Sequence, residues 1–310
     1  MIAILGATGY IGRSLAKEIV RANVGPLWLF ARDPAKLADG VWPSSVRVQS
    51  LDTFDANHFT LVINAIGAGD PARIRDLGAS LVAVSDAWDK RILGTMNGRT
   101  RYVFLSSGAI DLAGYTAKAV DIERGDVPVA EGLTPLPPYA AAKARAEARH
   151  RQASERPILD LRVFAYADEG IGRDGSSFLA ELARSVTDQT PFRTSPADMT
   201  RDYAGAEELW TLVSSWVAAG APNVAADLYS AAPVRKSAIL EAARRRYGLR
   251  TETLKADLMP PTSGNTDYVS RDRAAARFGY SPRRTSFDIV MSVLDSLAVV
   301  RDRRALATVR

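Results

Sequence analysis

The sequence predicts an α/β fold: a doubly wound parallel sheet with helices on both faces, followed by a smaller, mostly helical C-terminal lobe. Three observations predict it. The chain opens on a short apolar run, MIAIL, closed by glycine, as a buried parallel strand would be. Strand-like and helix-like segments then alternate to about residue 165. Beyond Tyr166 the pattern turns to helices joined by polar loops, with one short strand, DLYSAA (Asp227 to Ala232), among them.

In order, MIAIL (Met1 to Leu5) is the first strand. RSLAKEIVRA follows with Leu15, Ile19 and Val20 at helical spacing. PLWLF (Pro26 to Phe30) is the second strand, Val46 to Val48 the third, and LVINAIG (Leu61 to Gly67) the fourth. A helix is expected near Ser85 to Asn97, a fifth strand in RYVFLSSG (Arg101 to Gly108), a helix beginning near Tyr139, and a sixth strand in ILDLRVF (Ile158 to Phe164). Helices Phe178 to Thr187 and Glu207 to Val217 belong to the second unit. Strand–helix repeats of this length imply right-handed crossovers and a parallel sheet. The units expected are residues 1–165 and 166–310, partly interleaved.

Composition narrows the chemistry. The 310 residues include no cysteine, which excludes disulfides, thiolate catalysis and cysteine metal sites. The two histidines, His58 and His150, are too few for a multi-histidine metal site and are read as solvated surface residues. The net charge of +5 suits an anionic ligand. Its clusters, Arg244 to Arg246 and RDRRALATVR at the C-terminus, lack the interleaved aromatics of a nucleic-acid platform, so no nucleic-acid partner is expected. No apolar run is long enough for a membrane span, and a cytoplasmic protein is expected.

GATGYIG (Gly6 to Gly12) stands between the first strand and the first helix, the setting of a Rossmann-type dinucleotide loop. Gly6 allows the tight turn, Gly9 lets backbone approach a pyrophosphate, and Gly12 permits close helix–strand packing. Thr8, Tyr10 and Ile11 complete the candidate loop, where a helix N-terminus offers unpaired N–H groups. Ala65, near the end of the fourth strand, is a further cofactor candidate. At the end of the second strand, where an acidic residue would accept from a ribose 2′-hydroxyl, LFARDP has Ala31 and then Arg32. Arg32 can pair a 2′-phosphate, so NADP(H) is expected rather than NAD(H). Asp33 comes late enough to be a turn cap. Asp52 is read either as an adenine contact or as a turn cap.

PPYAAAKARAEARH contains the chain's only Tyr-x-x-x-Lys, Tyr139 and Lys143, one helical turn apart. The fifth strand ends some thirty residues earlier in Ser106-Ser107-Gly108. With GATGYIG, Arg201-Asp202-Tyr203 and DYVSRDRAAARFGYSP, the chain resembles the extended short-chain dehydrogenase/reductase family over nearly its whole length. The resemblance implies Tyr139 as proton donor or acceptor, Lys143 as its electrostatic partner and holder of the nicotinamide ribose, and Ser107, rather than Ser106, as hydrogen-bond donor to the reacting oxygen. It also implies a substrate-binding second lobe, a nucleotide-sugar substrate, Arg201 on its diphosphate, and a homodimer through the helix from Tyr139 and the one near Ser85 to Asn97. For Arg201 an ion pair with Asp202 is the alternative. The row Ala140, Ala144, Ala148 suits close helix approach in a dimer or packing on its own sheet.

The departures from the family are informative. Gly108 and Ala109 follow Ser107 where dehydratases carry an acidic pair. Ala165 and Arg91 stand where asparagines are usual, and the arginine usual around PPTSGNTDY is replaced. The expectation is an NADP(H)-dependent reductase of a keto, 4-keto-6-deoxy, nucleotide sugar. The alternatives are an epimerase with tightly held dinucleotide and a non-catalytic NADP(H) sensor.

Overall fold

A computed structural model describes residues 1–38, 42–67, 71–113, 138–172, 175–254 and 267–308. Seven parallel strands form the central sheet, and their order is set by two opposite windings from the first strand. From β1 (Ile2–Leu5) the chain passes through α1 (Tyr10–Arg21) to β2 (Leu27–Ala31) and on to β3 (Val46–Ser50) at one edge. It then returns to the other side of β1 as β4 (Leu61–Asn64). From there it continues through α2 (Pro71–Thr95), β5 (Arg101–Ser107), α3 (Pro138–Gln152) and β6 (Ile158–Val163). The sheet order is therefore β6-β5-β4-β1-β2-β3, with one more strand beyond β6. Between β1 and β4 the winding reverses, and the carboxyl ends of those two strands open a crevice, where such sheets bind ligands.

Alternation along the strands divides the core into two layers. Ile2, Ile4, Leu27, Leu29 and Val103 face α1, and Ala3, Phe30, Val62, Tyr102 and Phe104 face α2 and α3. Helix α2 starts well before Ser85 and bends at Gly78, whose φ of 45° and ψ of −126° are open to glycine and strained for other residues. Pro138 occupies the first turn of α3, where its missing N–H costs no helical bond.

The second unit begins with β7 (Ala165–Tyr166) and α4 (Phe178–Asp188). It continues with β8 (Phe192–Thr194), β9 (Thr200–Arg201), β10 (Tyr203–Ala204) and α5 (Ala206–Ala218). Then β11 (Val224–Leu228) pairs in parallel with β6 and becomes the seventh strand of the main sheet. The short strand expected at Asp227 to Ala232 thus starts earlier and belongs to the sheet. Its alanines and the buried Asp227 disguise a sheet strand. Helix α5 packs beside α1 over the same layer, with Trp216 fully buried and its indole N–H bonded to the Pro222 carbonyl at 2.8 Å. The remaining elements are β12 (Val234–Arg235), α6 (Lys236–Tyr247), β13 (Thr251–Thr253) and α7 (Ser286–Thr308). Helices α4, α6 and α7 enclose a separate apolar core around Leu182, Ile239, Val290 and Leu294.

One open alternative is decided here, and one expectation changes. Ala140, Ala144 and Ala148 are 1%, 3% and 4% exposed in the single chain, so this row is covered by its own fold and is not a free dimer face. His150, expected at the surface, is fully buried between Asp89 and Asp160, whereas His58 is exposed.

Candidate functional site

The glycine loop sits at the crevice. Gly6 has φ of 76°, and a Cβ there would lie 2.7 Å from the Ala65 carbonyl oxygen, so both the turn and the neighbouring strand require glycine. A Cβ on Gly12 would lie 2.5 Å from the Gly6 carbonyl oxygen, which seats the first turn of α1 directly on the loop. Gly9 precedes α1 and no side chain caps the helix, so the amides of Tyr10, Ile11 and Gly12 stand at its positive end without a side-chain acceptor. Thr8 and Gly9 are exposed above them. This cradle fits a pyrophosphate. The Tyr10 hydroxyl is committed elsewhere: it accepts from Asp168 N–H at 2.6 Å, and its ring stands edge-on to Tyr166. What Tyr10 can offer a phosphate is its backbone N–H. Gly12→Ala is expected to cost roughly 1–3 kcal/mol by overpacking and to weaken dinucleotide binding. Thermal denaturation and NADPH titration check both.

At the end of β2, Ala31 is buried and Arg32 is exposed with no hydrogen bond or ion pair among the described residues. Asp33 is a turn cap, its Oδ1 accepting from Ala35 N–H at 3.2 Å. Asp52 lies in the turn after β3, where its N–H donates to Ser50 Oγ at 3.4 Å. Arg91 donates to the carbonyls of Asp52 and Phe54 at 3.0 and 2.8 Å. It braces this turn.

Ser107 ends β5, and Tyr139 and Lys143 occupy successive turns of α3; the structure brings the three together. Ser107 Oγ accepts from Ala109 N–H at 3.2 Å and lies near the Tyr139 hydroxyl, close enough to favour its ionised form. The Lys143 ammonium donates to the Leu105 carbonyl at 2.8 Å and lies 4.3 Å from the Phe104 ring centroid and 5.8 Å from that of Tyr139. Tyr139 and Lys143 line a small hollow with Gly67, just past β4, and with Leu81, Val82 and Ser85 of α2. Burial raises the Tyr139 phenol above its ordinary value, and the nearby Ser107 hydroxyl only partly opposes it. Burial also pulls Lys143 down to about 8, against the opposing pull of Asp89, Asp160 and Glu147. The phenol therefore holds its proton at neutral pH.

Gly108 packs against Phe164: a Cβ there would stand 2.5 Å from the ring. The Phe164 ring is 5.0 Å from that of Tyr268, and the Arg201 guanidinium lies over Tyr268 at 5.9 Å. Arg201 is thus linked through two aromatic rings to the Ser107 end of β5. Its expected alternative, an ion pair with Asp202, is not formed. Asp202 is buried and its Oδ1 accepts from the Ser230 N–H and hydroxyl at 2.9 and 2.7 Å. Of the segment PPTSGNTDY, residues 260–266 lie outside the described residues. Ser85, Phe164 and Tyr268 were not singled out from the sequence, because each reaches the site through long-range packing.

No helix among the described residues is long and apolar enough to cross a membrane. Among them no group of three or more histidine, aspartate or glutamate side chains is placed to hold a metal. No protein-family model and no curated protein sequence matches the chain. Solved structures do match it in fold. The UDP-glucuronic acid 4-epimerase of Bacillus cereus, solved with UDP-glucuronic acid and NAD, is 14% identical over 96% of this chain and 99% of its own, with a TM-score of 0.74. RMD of Pseudomonas aeruginosa, solved with NADPH, is 19% identical over 96% and 99%, with a TM-score of 0.66. TunA, an NAD-dependent NDP-hexosamine 5,6-dehydratase, is 14% identical over 95% and 96%, with a TM-score of 0.67. The chain thus shares the Rossmann-type α/β fold of these structures.

Proposed function

We propose that the chain is an extended short-chain dehydrogenase/reductase that uses NADP(H) to reduce a keto group of a nucleotide-linked sugar of the 4-keto-6-deoxy class. The observation that carries this reading is the Ser107–Tyr139–Lys143 cluster at the crevice, with its phenol held protonated. A protonated Tyr139 is poised to give its proton to a carbonyl oxygen. Ser107, its hydroxyl oriented by the Ala109 N–H, donates a hydrogen bond to the same oxygen as charge develops there. The Lys143 ammonium stabilises the phenolate left behind and holds the ribose hydroxyls of the dinucleotide. When bound, the reduced nicotinamide supplies the hydride that the carbonyl carbon accepts. Gly6, Gly9 and the amides opening α1 receive the pyrophosphate.

Arg32, exposed and without a partner among the described residues, is the group to meet a 2′-phosphate. Arg32→Ala is expected to weaken NADPH by about 10–100-fold, the size of a lost charged hydrogen bond, and to leave NADH nearly unchanged. Fluorescence titration with both nucleotides checks it. Gly108 supports reduction over water elimination, since the Phe164 ring leaves no room for an acid after Ser107. Arg201 is the residue proposed for the substrate diphosphate.

The test is NADPH oxidation by the purified protein against a panel of 4-keto-6-deoxy nucleotide sugars. Consumption with one of them supports the reading; tight NADPH binding without consumption across the panel sinks it. A second reading, an epimerase with tightly held dinucleotide, is favoured by the match to the epimerase solved with NAD. Interconversion of a nucleotide sugar with no added reductant is its signature.

A further inference from the structure

One buried polar cluster beside the Ser107–Tyr139–Lys143 group takes no part in that chemistry. Glu147 lies one turn beyond Lys143 and two beyond Tyr139 on the same face of α3, and is 1% exposed. Its carboxylate accepts from Ser106 Oγ at 2.6 Å. It also accepts from Arg162, through Nε at 3.0 and 3.2 Å and Nη2 at 2.6 Å. A forked guanidinium–carboxylate pair fixes direction as well as distance. Ser106 and Arg162 are opposite one another on β5 and β6, and Ser106 immediately precedes Ser107. Arg162 also lies 4.0 Å from Asp227 of β11, which accepts from Ser270 Oγ at 2.8 Å. Burial pushes the Glu147 carboxyl up, while Arg162 and Ser106 pull it back.

The rest of this face of α3 explains why such a cluster matters. Ala140, Ala144 and Ala148 are all buried, and Ala140 and Ala144 pack with Ile110. Alanines make a smooth contact surface that resists neither rotation of the helix nor sliding along the strand. Directional bonds must therefore set its register: Lys143 to the Leu105 carbonyl, His150 to Asp89 and Asp160, and between them the Glu147 fork, which alone ties α3 to the residue next to Ser107. A buried ion pair is a poor source of net stability but a good source of fixed geometry.

We propose that Glu147 is a positioning residue. Held by Ser106 and Arg162, it fixes α3 at the rotation and height that set the Tyr139 hydroxyl against Ser107, and it touches neither substrate nor dinucleotide. The proposal rests on the proton-donor reading of Tyr139, so its test includes a readout that needs no substrate. Two variants are made, Glu147→Gln and Ser106→Ala. The second removes one hydroxyl and strands no charge, so it folds even if the first does not. Each is also prepared with 3-fluorotyrosine at position 139.

A displacement of about 1 Å is expected to lower kcat by roughly 10–100-fold, with KM and the NADPH dissociation constant within about twofold of wild type. Ser106→Thr, which restores the hydroxyl, is expected to recover activity. The fluorine resonance of residue 139 should move in both variants. A resonance unchanged in both, or a kcat that falls only with the folded fraction, overturns the proposal. If the wild type turns over no keto nucleotide sugar, the functional reading fails, while the fluorine signal still decides whether Glu147 positions Tyr139.

Discussion

Tyr139→Phe is expected to lower turnover by about 10²–10⁴-fold, the usual contribution of a positioned general acid, while leaving dinucleotide affinity within about twofold. The substitution removes only the phenolic oxygen. Phenylalanine keeps the ring that helps to line the hollow with Lys143 and Ala142, so the packing of α3 survives. Ser107 loses one polar neighbour but still accepts from the Ala109 N–H, so the stability cost stays near 0.5–1.5 kcal/mol. Lys143 keeps its bond to the Leu105 carbonyl and its place over Phe104. The prediction therefore separates chemistry from binding. Stopped-flow NADPH oxidation measures the first and fluorescence titration the second. An active Tyr139→Phe enzyme would show that the proton comes from elsewhere. Loss of NADPH binding would show that the hydroxyl belongs to the cofactor site.

The parts of this site that were legible in the sequence are the local ones. GATGYIG is contiguous, and its glycines are required by contacts made within a few residues of the loop and by one neighbouring strand. Tyr139 and Lys143 are one turn apart, so helical geometry alone brings them together. Ser107 was singled out over Ser106 by the family resemblance, its place at the end of the fifth strand being the local feature that carried it. Glu147 carried a readable signal that went unused, since it repeats the four-residue step from Tyr139 to Lys143. What could not be read were partners joined only by the sheet. Arg162 meets Glu147 because β6 lies beside β5, and β11 read only as a short strand of the second unit because alanine and a buried aspartate replace the usual β-branched run. His150 was misread for the same reason: its partners come from another helix and another strand.

Those partners make His150 the site of the largest expected stability effect. Its Nδ1 is 2.5 Å from Asp160 Oδ1 and its Nε2 is 2.8 Å from Asp89 Oδ1, so both ring nitrogens face carboxylates and both carry protons. Arg149 pairs with Asp89 and Asp86, Arg151 donates to Asp160 at 2.7 Å, and the Tyr102 hydroxyl donates to Asp89 at 2.8 Å. The imidazolium thus ties α3 to α2, through Asp89, and to β6, through Asp160. Burial would pull His150 down, but Asp160 and Asp89 outweigh it and raise it from 6.5 to about 9. Burial likewise would raise Asp89, yet His150, Arg149 and Tyr102 hold it below the ordinary carboxylate range.

A histidine whose value is raised on folding contributes stability that is fully present below its unfolded value of 6.5. That contribution is lost as the pH climbs through about 9. The shift corresponds to about 3 kcal/mol. Asp89 acts in the opposite sense, its contribution present above its unfolded value of 3.8 and lost as the pH falls below it. His150→Leu strips the pair of carboxylates of the cation between them, which costs about 3–5 kcal/mol for a broken buried pair and lowers the melting temperature by roughly 5–15 °C. Calorimetry from pH 6 to pH 9.5 checks both expectations. The wild-type midpoint should fall across that range, and the fall should flatten in His150→Leu. Parallel pH profiles for the two proteins would mean that His150 is neutral in the folded chain and that Arg149 and Arg151 alone compensate the buried carboxylates.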